Sequence, residues 1–543
     1  MFNDKIVYQV FPKTFYDAKN TGAGQLAGVT AKLDYLKELG IDYIWISPFF
    51  KSDFVDGGYD VIDYYQIDPS MGDEKELANL IKEADNKGMK IIMDMVLNHT
   101  STKSAWFQAA LKGDKYYQDF YFFKKPVNNQ PPTNWLSKFG GSAWEYVEKL
   151  DMYYLHVFSK EQADLNWANP EVQKEILKVL NYWIAKGAGG FRFDVCNLYG
   201  KPEVFEDSIN SDGREFYTDS EINEKYFEII NKLALKKASE PLLTVGELSS
   251  TSKEKAANYA QEDYSQLSMI FNFHHLKVDF KNNQKWNLCD VDFKKFKDLL
   301  IEWQLYFQER KSGHTLFLNN HDQPRAISRF GNDNKYWKES AKMLAALVQL
   351  MKGTVFIYQG EEIGMTNYPF ESLDDFIDSE SVGQIKALIK AGNSEDLTLK
   401  IMKQKSRDHS RTAMQWSGKT NAGFNQGQKL DKILLNPNYK TINVVSQKND
   451  SDSILKFYQD LIKLRKNNLE IIDGVIRFLQ TSDEIIAYER ILESSKITVV
   501  ANISVKEVNF KTDLKSEKII LNNYTDFNQK LKPYQVVVFK ESY

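Results

Sequence analysis

The chain has 543 residues and a formal net charge of −4, and 42% of its residues are hydrophobic. This length and composition are typical of a globular protein with more than one domain. The slightly acidic charge argues against a partner such as nucleic acid or a membrane surface. No apolar run approaches the ~20 residues that a transmembrane helix requires.

The cysteine content and the first residues bear on the compartment. Only Cys196 and Cys289 are present, too few for a disulfide framework or a zinc site. The first residues show neither the basic nor the apolar region of a secretory signal peptide. We therefore expect a cytoplasmic protein.

Apolar runs of strand length alternate with amphipathic runs of helix length along most of the chain. The predicted strands cover residues 5–10, 43–47, 90–97, 190–195, 242–247, 269–273, 315–318 and 355–358. The predicted helices cover residues 29–39, 74–87, 171–186, 220–236, 293–307, 338–351 and 454–466. Repeated strand–helix units favour a parallel sheet, and eight strands favour its closure. We therefore predict an α/β fold of the (β/α)8 TIM-barrel type.

Two long segments interrupt this alternation. Residues 100–169 are rich in aromatic residues, Pro and Asn, and are too long for an ordinary connection, which predicts a small domain inserted after the third strand. Residues 369–425 follow the eighth strand and should lie over the barrel mouth. After residue 474 short alternating strands predict a C-terminal antiparallel β-domain. The predicted boundaries are 1–99 and 170–473 for the barrel, 100–169 for the insertion and 474–543 for a β-sandwich.

Three of the predicted strands lead into a carboxylate. Asp194 follows the fourth strand's Phe191-Arg192-Phe193, Glu247 closes the fifth, and Asp322 follows the seventh. In a TIM barrel the chemistry lies at the C-terminal ends of the strands. An enzyme that cleaves glycosidic bonds needs a nucleophile, a proton donor and a group that holds the distorted sugar. We predict that these carboxylates form such a set.

Neighbouring residues indicate how each carboxylate is tuned. Arg192 faces the same way as Asp194 because side chains alternate along a strand, and its charge should keep Asp194 ionised. Glu247 ends an apolar strand, where burial should raise its pKa and suit it to act as a general acid. His99 ends the third strand and Tyr59 follows the second, and each is a candidate sugar contact. A lone histidine at a strand end is more often structural, and Gly-Tyr-Asp alone is common in loops.

Together these strings resemble the ordered sequence regions of the α-amylase superfamily of glycoside hydrolases, over nearly the whole chain. Residues 162–167, Gln-Ala-Asp-Leu-Asn-Trp, are similar to the marker of its oligo-1,6-glucosidase branch. The resemblance implies retaining hydrolysis of α-glucosidic bonds, with Asp194 as nucleophile, Glu247 as acid and base, and Asp322 binding the distorted sugar. It also implies a glucose pocket closed by an Asp60–Arg411 pair. The implied pocket residues are Tyr59, Asp60, His99, Arg192, His321 and Arg411.

Within this branch, residues 134–144, 153–156, 246–251 and 406–412 are similar to trehalose-6-phosphate hydrolases. Residues 271–279 read Phe-Asn-Phe-His-His-Leu-Lys-Val-Asp, where neutral-sugar relatives usually carry acidic residues. A basic rim suits an anionic substrate, so the expected reaction converts trehalose 6-phosphate to glucose and glucose 6-phosphate. The phosphate-binding candidates are His274, His275, Lys277 and Lys285.

Several alternatives remain open. The basic segment is also consistent with a solvated loop, which favours a neutral oligo-1,6-glucosidase or dextran glucosidase. Val195 after the nucleophile also suits that alternative. A transglycosylase and a non-catalytic sugar-binding relative are less favoured. A binding module would have no reason to keep Asp194, Glu247 and Asp322 together.

Many relatives bind calcium with a loop after the first strand. Here that loop reads Asp-Ala-Lys-Asn-Thr-Gly-Ala-Gly-Gln over residues 17–25. Only Asp17 is a carboxylate, and Lys19 and Gln25 stand where acceptor oxygens are expected. Calcium requires several hard oxygen ligands, so we predict neither a metal nor any other cofactor.

Overall fold

The computed structural model describes residues 2–210, 212–511 and 516–542. Its centre is one parallel sheet of eight strands, in the order β6-β5-β4-β3-β2-β1-β8-β7. A bridge between Ile270 and His314 joins β6 to β7 and closes the barrel. The strands are β1 Ile6–Val10, β2 Tyr43–Ile46, β3 Lys90–Met95, β4 Gly190–Phe193, β5 Leu243–Leu248, β6 Met269–Asn272, β7 Thr315–Leu316 and β8 Thr354–Tyr358. The predicted TIM barrel is confirmed.

A helix follows each strand. These helices are α1 Leu33–Leu39, α2 Glu74–Asn86, α3 Pro170–Ala185, α4 Ile222–Leu233, α5 Lys253–Tyr259, α6 Phe293–Arg310, α7 Trp337–Gln349 and α8 Ile454–Lys466. The start of α3 shows why the sequence forms a helix there: Asn169 accepts a hydrogen bond from the Glu171 backbone, and proline occupies the first helical position. α5 was not predicted, and residues 29–39 contain parts of two helices, Leu26–Thr30 and α1.

The barrel interior is filled with large side chains below the strand ends. Trp45 on β2 packs against Phe271 on β6 with ring centroids 5.5 Å apart. Phe271 in turn packs against Phe356 on β8 at 4.7 Å. The interior is therefore a packed core, and the chemistry is confined to its upper end.

Two connections build the walls above the barrel. After β3, His99–Ser101 pairs with Gln162–Asp164, and Phe123–Lys124, Met152–Leu155 and Trp144–Val147 form a three-stranded sheet. After β8, the helices Ser379–Lys390 and Glu395–Lys405 precede a 3-10 turn, Arg407–Arg411. That turn places Arg407 at the barrel mouth. The other short helices are Pro12–Phe15, Ala105–Leu111, Lys115–Gln118, Arg214–Tyr217, Ala326–Phe330, Val444–Lys448 and Leu469–Ile472.

The C-terminal part is an antiparallel β-domain, as predicted. Its five-stranded sheet has the order Val475–Phe478, Ile485–Leu492, Ser495–Asn502, Val536–Ser542, Ile519–Asn522. A two-stranded sheet of Val508–Asn509 and Lys530–Leu531 packs on it, with Leu531 in the same hydrophobic cluster as Phe539. The division into the four segments remains a prediction. None of the helices in the described part of the chain combines the length and apolar character needed to cross a bilayer.

Candidate active site

A cavity of about 1530 Å³ opens at the C-terminal ends of the barrel strands. Asp194, Glu247 and Asp322 all lie in its wall. Asp194 follows β4, Glu247 belongs to β5, and Asp322 follows β7. The structure therefore brings together the three carboxylates that the sequence singled out. Asp194 is 6% exposed and Glu247 is 9% exposed, so each presents only its tip to the cavity.

One guanidinium holds two of these carboxylates. Arg192 donates from Nη1 to Asp194 Oδ1 at 2.6 Å and from Nη2 to Glu247. The same Nη1 donates to Asp94 Oδ1 at 2.7 Å. Asp94 comes from β3, where it also accepts bonds from Trp45 and Tyr59. The guanidinium suits this arrangement because it is always charged and its several N–H groups can bind both carboxylates at once.

Burial dominates the proton affinity of this group. Burial raises the pKa of Asp194 to about 7 although the Arg192 charge opposes the shift. Burial likewise raises the pKa of Glu247 to about 7, and the charges of Asp194 and Asp322 add to it. As predicted, the charge of Arg192 lowers the pKa of Asp194, but this effect is smaller than the opposite effect of burial. The predicted rise for Glu247 is found. Because two such carboxylates interact strongly, they titrate as a pair.

The turn after the nucleophile candidate is strained. Val195 has φ 36° and ψ 43°, a left-handed conformation that β-branched residues rarely adopt. In this conformation its backbone N–H donates to Glu247 Oε2 at 3.2 Å. The turn that follows Asp194 therefore also orients Glu247.

The third carboxylate is held by a separate arginine pair. Asp322 Oδ1 accepts from Arg407 Nη1 and from Arg411 Nη2, both at 2.9 Å. Burial raises the pKa of Asp322, but His321, Arg407 and Arg411 outweigh it and hold the pKa well below its usual range. Asp322 is therefore ionised throughout the neutral range, in contrast to the Asp194–Glu247 pair.

Tyr59 and two histidines complete this side of the cavity. Tyr59 stacks on the His321 ring with centroids 5.3 Å apart, and its hydroxyl bonds to His321 Nε2 at 2.8 Å. His99 Nε2 lies 2.9 Å from the Tyr59 carbonyl. Burial lowers the pKa of His321 to about 3, so its ring is neutral. Of the predicted glucose contacts, Tyr59 and His99 line the cavity.

The predicted Asp60–Arg411 pair is wrong. Asp60 is fully buried and accepts from Ser52 Oγ at 2.7 Å, so it holds its own loop together. Arg411 instead pairs with Asp378 at 2.7 Å. An ion pair of 2.7 Å instead joins Asp56, in the connection after β2, to Arg407, in the segment after β8. Its members are 351 positions apart in the chain, and both line the cavity.

Sequence reasoning missed Asp56, Asp94, Asp378 and Arg407. Asp378 accepts from both arginines, at 2.6 Å from Arg407 and 2.7 Å from Arg411, and so positions the pair on Asp322. Arg407 belongs to the string that contained Arg411, so the string was the available signal. Asp378 lies in a polar segment without any pattern that could have identified it.

The phosphate-binding candidates fall into two groups. His274, Lys277 and Lys285 line the cavity, whereas His275 does not. His275 is buried, with Nε2 2.9 Å from the Phe317 carbonyl, so it is a structural residue and the prediction for it is wrong. Burial lowers the pKa of His274 and of His275 to about 4. Neither histidine therefore supplies positive charge at neutral pH.

The loop after β1 has donors where a calcium ion would need oxygens. Asp17 accepts from the Thr21 and Gly22 backbone and from Gln25 Nε2. Gln25 Nε2 also lies 2.7 Å from Thr21 Oγ1, and Lys19 pairs with Glu76 at 2.6 Å. This donor set does not fit a hard cation. No cluster of three or more potential metal-binding side chains occurs among the described residues.

We expect exhaustive chelation with EDTA to leave both the activity and the Tm unchanged, because an amide nitrogen and a lysine replace oxygen ligands in the loop. Thermal unfolding and initial rates, measured with and without added calcium, check this. The double variant Thr21→Asp/Gln25→Asp, which adds two carboxylates, should by contrast gain a calcium-dependent rise in Tm. Loss of wild-type activity with EDTA that calcium restores would contradict the expectation.

The chain is similar to known proteins over nearly its whole length. The profile described as "Alpha amylase, catalytic domain" matches residues 9–474. The trehalose-6-phosphate hydrolase of Bacillus subtilis is 40% identical over 98% of this chain and 97% of that protein. The oligo-1,6-glucosidase of Bacillus cereus is 39% identical over 99% of both. A crystal structure of the Bacillus licheniformis trehalose-6-phosphate hydrolase superposes with a TM-score of 0.93 at 41% identity, covering 100% of both chains. The predicted family is confirmed: the chain belongs to the α-amylase family of glycoside hydrolases.

Proposed function

We propose that the protein is a retaining α-glucosidase that hydrolyses trehalose 6-phosphate to glucose and glucose 6-phosphate. The observation that supports this mechanism is that Arg192 donates hydrogen bonds to both Asp194 and Glu247, which line one cavity. The proposed substrate rests on the basic rim of that cavity and on the similarity to trehalose-6-phosphate hydrolases.

The reaction proceeds by double displacement. Asp194 attacks the anomeric carbon while Glu247 donates its proton to the departing oxygen, which releases glucose 6-phosphate. Glu247 then accepts a proton from water, whose oxygen attacks the anomeric carbon of the glucosyl–Asp194 intermediate and releases glucose. Burial raises the pKa of Glu247, which helps it to hold the proton for the first step, whereas the charge of Arg192 opposes the rise in the pKa of Asp194 and favours the ionised nucleophile.

The remaining residues hold the glucosyl unit. Asp322 is ionised and hydrogen-bonds the ring hydroxyls, which favours the oxocarbenium-like sugar. Tyr59 offers a ring face and His99 a wall of the pocket. His321 supports Tyr59 from behind, at a centroid distance of 5.3 Å. Arg192 orients the carboxylates rather than the sugar. The Asp56–Arg407 pair closes the pocket, which makes the enzyme act on a terminal glucose unit.

A second candidate is an oligo-1,6-glucosidase that acts on neutral α-glucosides. It is supported by the similarity to the Bacillus cereus enzyme and by Val195, which that branch also carries after the nucleophile. The charge of the rim separates the two candidates, because a neutral disaccharide gains nothing from unpaired cations.

We also propose a cytoplasmic location. Both cysteines are free, which suits a reducing compartment. A sugar phosphate is an ion, and ions do not cross a lipid bilayer unaided, so the enzyme and its phosphorylated substrate must share a compartment.

A substrate panel tests this function. Trehalose 6-phosphate should be hydrolysed with a kcat/KM at least tenfold above that of trehalose, isomaltose and sucrose, because a charge-assisted contact contributes roughly one to two powers of ten. Initial rates from the release of glucose check this. A kcat/KM for isomaltose that exceeds that for trehalose 6-phosphate would instead establish the neutral glucosidase.

The pH profile should follow the Asp194–Glu247 pair. The productive form has Glu247 protonated and Asp194 ionised, so kcat/KM should fall as the pH either rises or falls from about 7. Phenyl α-glucoside, whose leaving group needs a proton, should show the alkaline fall. An activated substrate, 2,4-dinitrophenyl α-glucoside, should lose that fall because its leaving group departs without a proton. The same alkaline fall for both substrates would contradict the role of Glu247.

A further inference from the structure

We propose that Lys138 and Arg214, together with Lys277, bind the phosphate of the departing glucose 6-phosphate and set the preference for a phosphorylated substrate. The proposal rests on the function proposed above. It goes further because it places the phosphate site on three separate segments of the chain, two of which the basic string after β6 does not include.

The three residues converge on one cavity from different connections. Lys138 belongs to the segment inserted between β3 and α3, Arg214 begins the short helix Arg214–Tyr217 between β4 and α4, and Lys277 follows β6. All three line the cavity that contains Glu247. Residues so far apart in the chain meet here only because three loops meet above the barrel.

Their charges are poorly compensated. Lys138 lies over the Phe158 ring at 5.1 Å and has no ion pair among the described residues. Lys277 donates to the Ser249 carbonyl and to Ser250 Oγ, and in the described part of the chain it meets no carboxylate. Arg214 has one exposed partner, Asp212, at 3.3 Å.

Lys285, a candidate from the sequence, differs from these residues. Both oxygens of Glu380 lie within 3.1 Å of its ammonium, so its charge is largely neutralised. Lys285 therefore contributes less uncompensated charge to an anion than Lys138, Arg214 and Lys277 do.

The mutual repulsion of the three cations supports an anion site. Burial, together with the charge of Arg214, lowers the pKa of Lys138 to about 7 and that of Lys277 to about 8. Glu247 opposes the shift in both cases. A phosphate dianion among these groups would relieve the repulsion and restore the protonated lysines.

The position of Lys138, Arg214 and Lys277 indicates which sugar of the substrate carries the bound phosphate. Lys277 donates to the Ser249 carbonyl and to Ser250 Oγ, directly after the strand that ends beside Glu247, and in the proposed mechanism Glu247 protonates the departing oxygen. Asp322 and Arg407 line the same cavity and belong to the part of it that is proposed to hold the glucosyl unit. A phosphate bound by the cluster therefore belongs to the sugar that leaves as glucose 6-phosphate, and the glucose that becomes attached to Asp194 is unphosphorylated.

The test is the ratio of kcat/KM for trehalose 6-phosphate to that for p-nitrophenyl α-glucoside. Lys138→Met and Arg214→Met should each lower this ratio by about 10- to 100-fold, mainly through KM for the phosphorylated substrate. Lys138→Arg, which keeps the positive charge, should retain most of the wild-type ratio. Lys149→Met, which removes an exposed lysine of the same inserted segment outside the cavity, is the matched control and should leave the ratio unchanged.

Inhibition by products gives a second readout. Lys138→Met and Arg214→Met should weaken inhibition by glucose 6-phosphate more than inhibition by glucose. An equal loss of kcat/KM on both substrates, or unchanged inhibition by glucose 6-phosphate, would overturn the phosphate role of these residues. If the wild-type enzyme does not prefer trehalose 6-phosphate to trehalose, the proposed function itself fails. A wild-type preference that survives both substitutions refutes this inference alone.

Discussion

Asp194→Asn and Glu247→Gln should each lower the turnover of trehalose 6-phosphate by about three or more powers of ten, because each removes a role that no neighbouring group can fill. In the proposed mechanism Asp194 forms the covalent intermediate and Glu247 transfers the proton. Single-turnover and steady-state rates of purified variants check this. A variant of either kind that retained a tenth of the wild-type rate would refute the assignment.

Exogenous azide separates the two roles. With Glu247→Ala and an activated glucoside, azide should attack the glucosyl intermediate and give α-glucosyl azide. With Asp194→Ala, azide should replace the missing nucleophile and give β-glucosyl azide. NMR of the products distinguishes the anomers, and the wild-type enzyme should release α-glucose first, since double displacement retains configuration. The reverse pattern of azides would exchange the roles of the two residues.

The stability of these variants provides a control for their folding. The folded-state pKa values of Asp194 and Glu247 are raised to about 7, so the stability that these groups contribute is present when they are protonated and is lost as the pH rises through 7. A neutral amide in either position should therefore leave Tm unchanged or raise it at pH 8, with a smaller difference at pH 5. A large fall in Tm would attribute the lost turnover to misfolding.

The sequence predicted the barrel well because its signals are local. Each buried strand reads as a continuous apolar run, and Asp194 and Glu247 stand at the ends of two such runs. α5 was missed because its seven residues, Lys253–Tyr259, bury only Ala256, Ala257 and Tyr259. Such a short helix with small buried side chains has a weak hydrophobic period.

The site was harder to predict where it depends on long-range pairing. Asp60 and Arg411 were expected to pair, whereas Asp60 binds its own loop and Asp56 reaches Arg407. Asp56 and Asp60 lie in the same loop, and only the path of the backbone in that loop decides which of them meets an arginine far along the chain. His275 shows the same limit: periodicity cannot tell that its ring turns to the Phe317 carbonyl while Lys277 faces the cavity.

The pairing of arginines with acids also explains why one site can contain carboxylates of opposite character. Arg192 is shared by Asp94, Asp194 and Glu247, so one positive charge faces three acids and burial prevails. Asp322 forms ion pairs with both Arg407 and Arg411, and their charges lower its pKa. The ratio of cations to acids therefore assigns the proton to the first group and the permanent negative charge to Asp322.

Asp322→Asn should lower kcat for trehalose 6-phosphate by about two to three powers of ten, because hydrogen bonds that strengthen on a distorted sugar contribute several kcal/mol. In the proposed mechanism Asp322 stabilises the oxocarbenium-like state more than the bound substrate, so kcat should fall far more than KM rises. The amide keeps the shape of the carboxylate but leaves Arg407 and Arg411 with Asp56, Asp378 and Glu380 as their remaining acids. Steady-state kinetics separate kcat from KM. A variant with an unchanged kcat and a raised KM would show that Asp322 binds the ground state only.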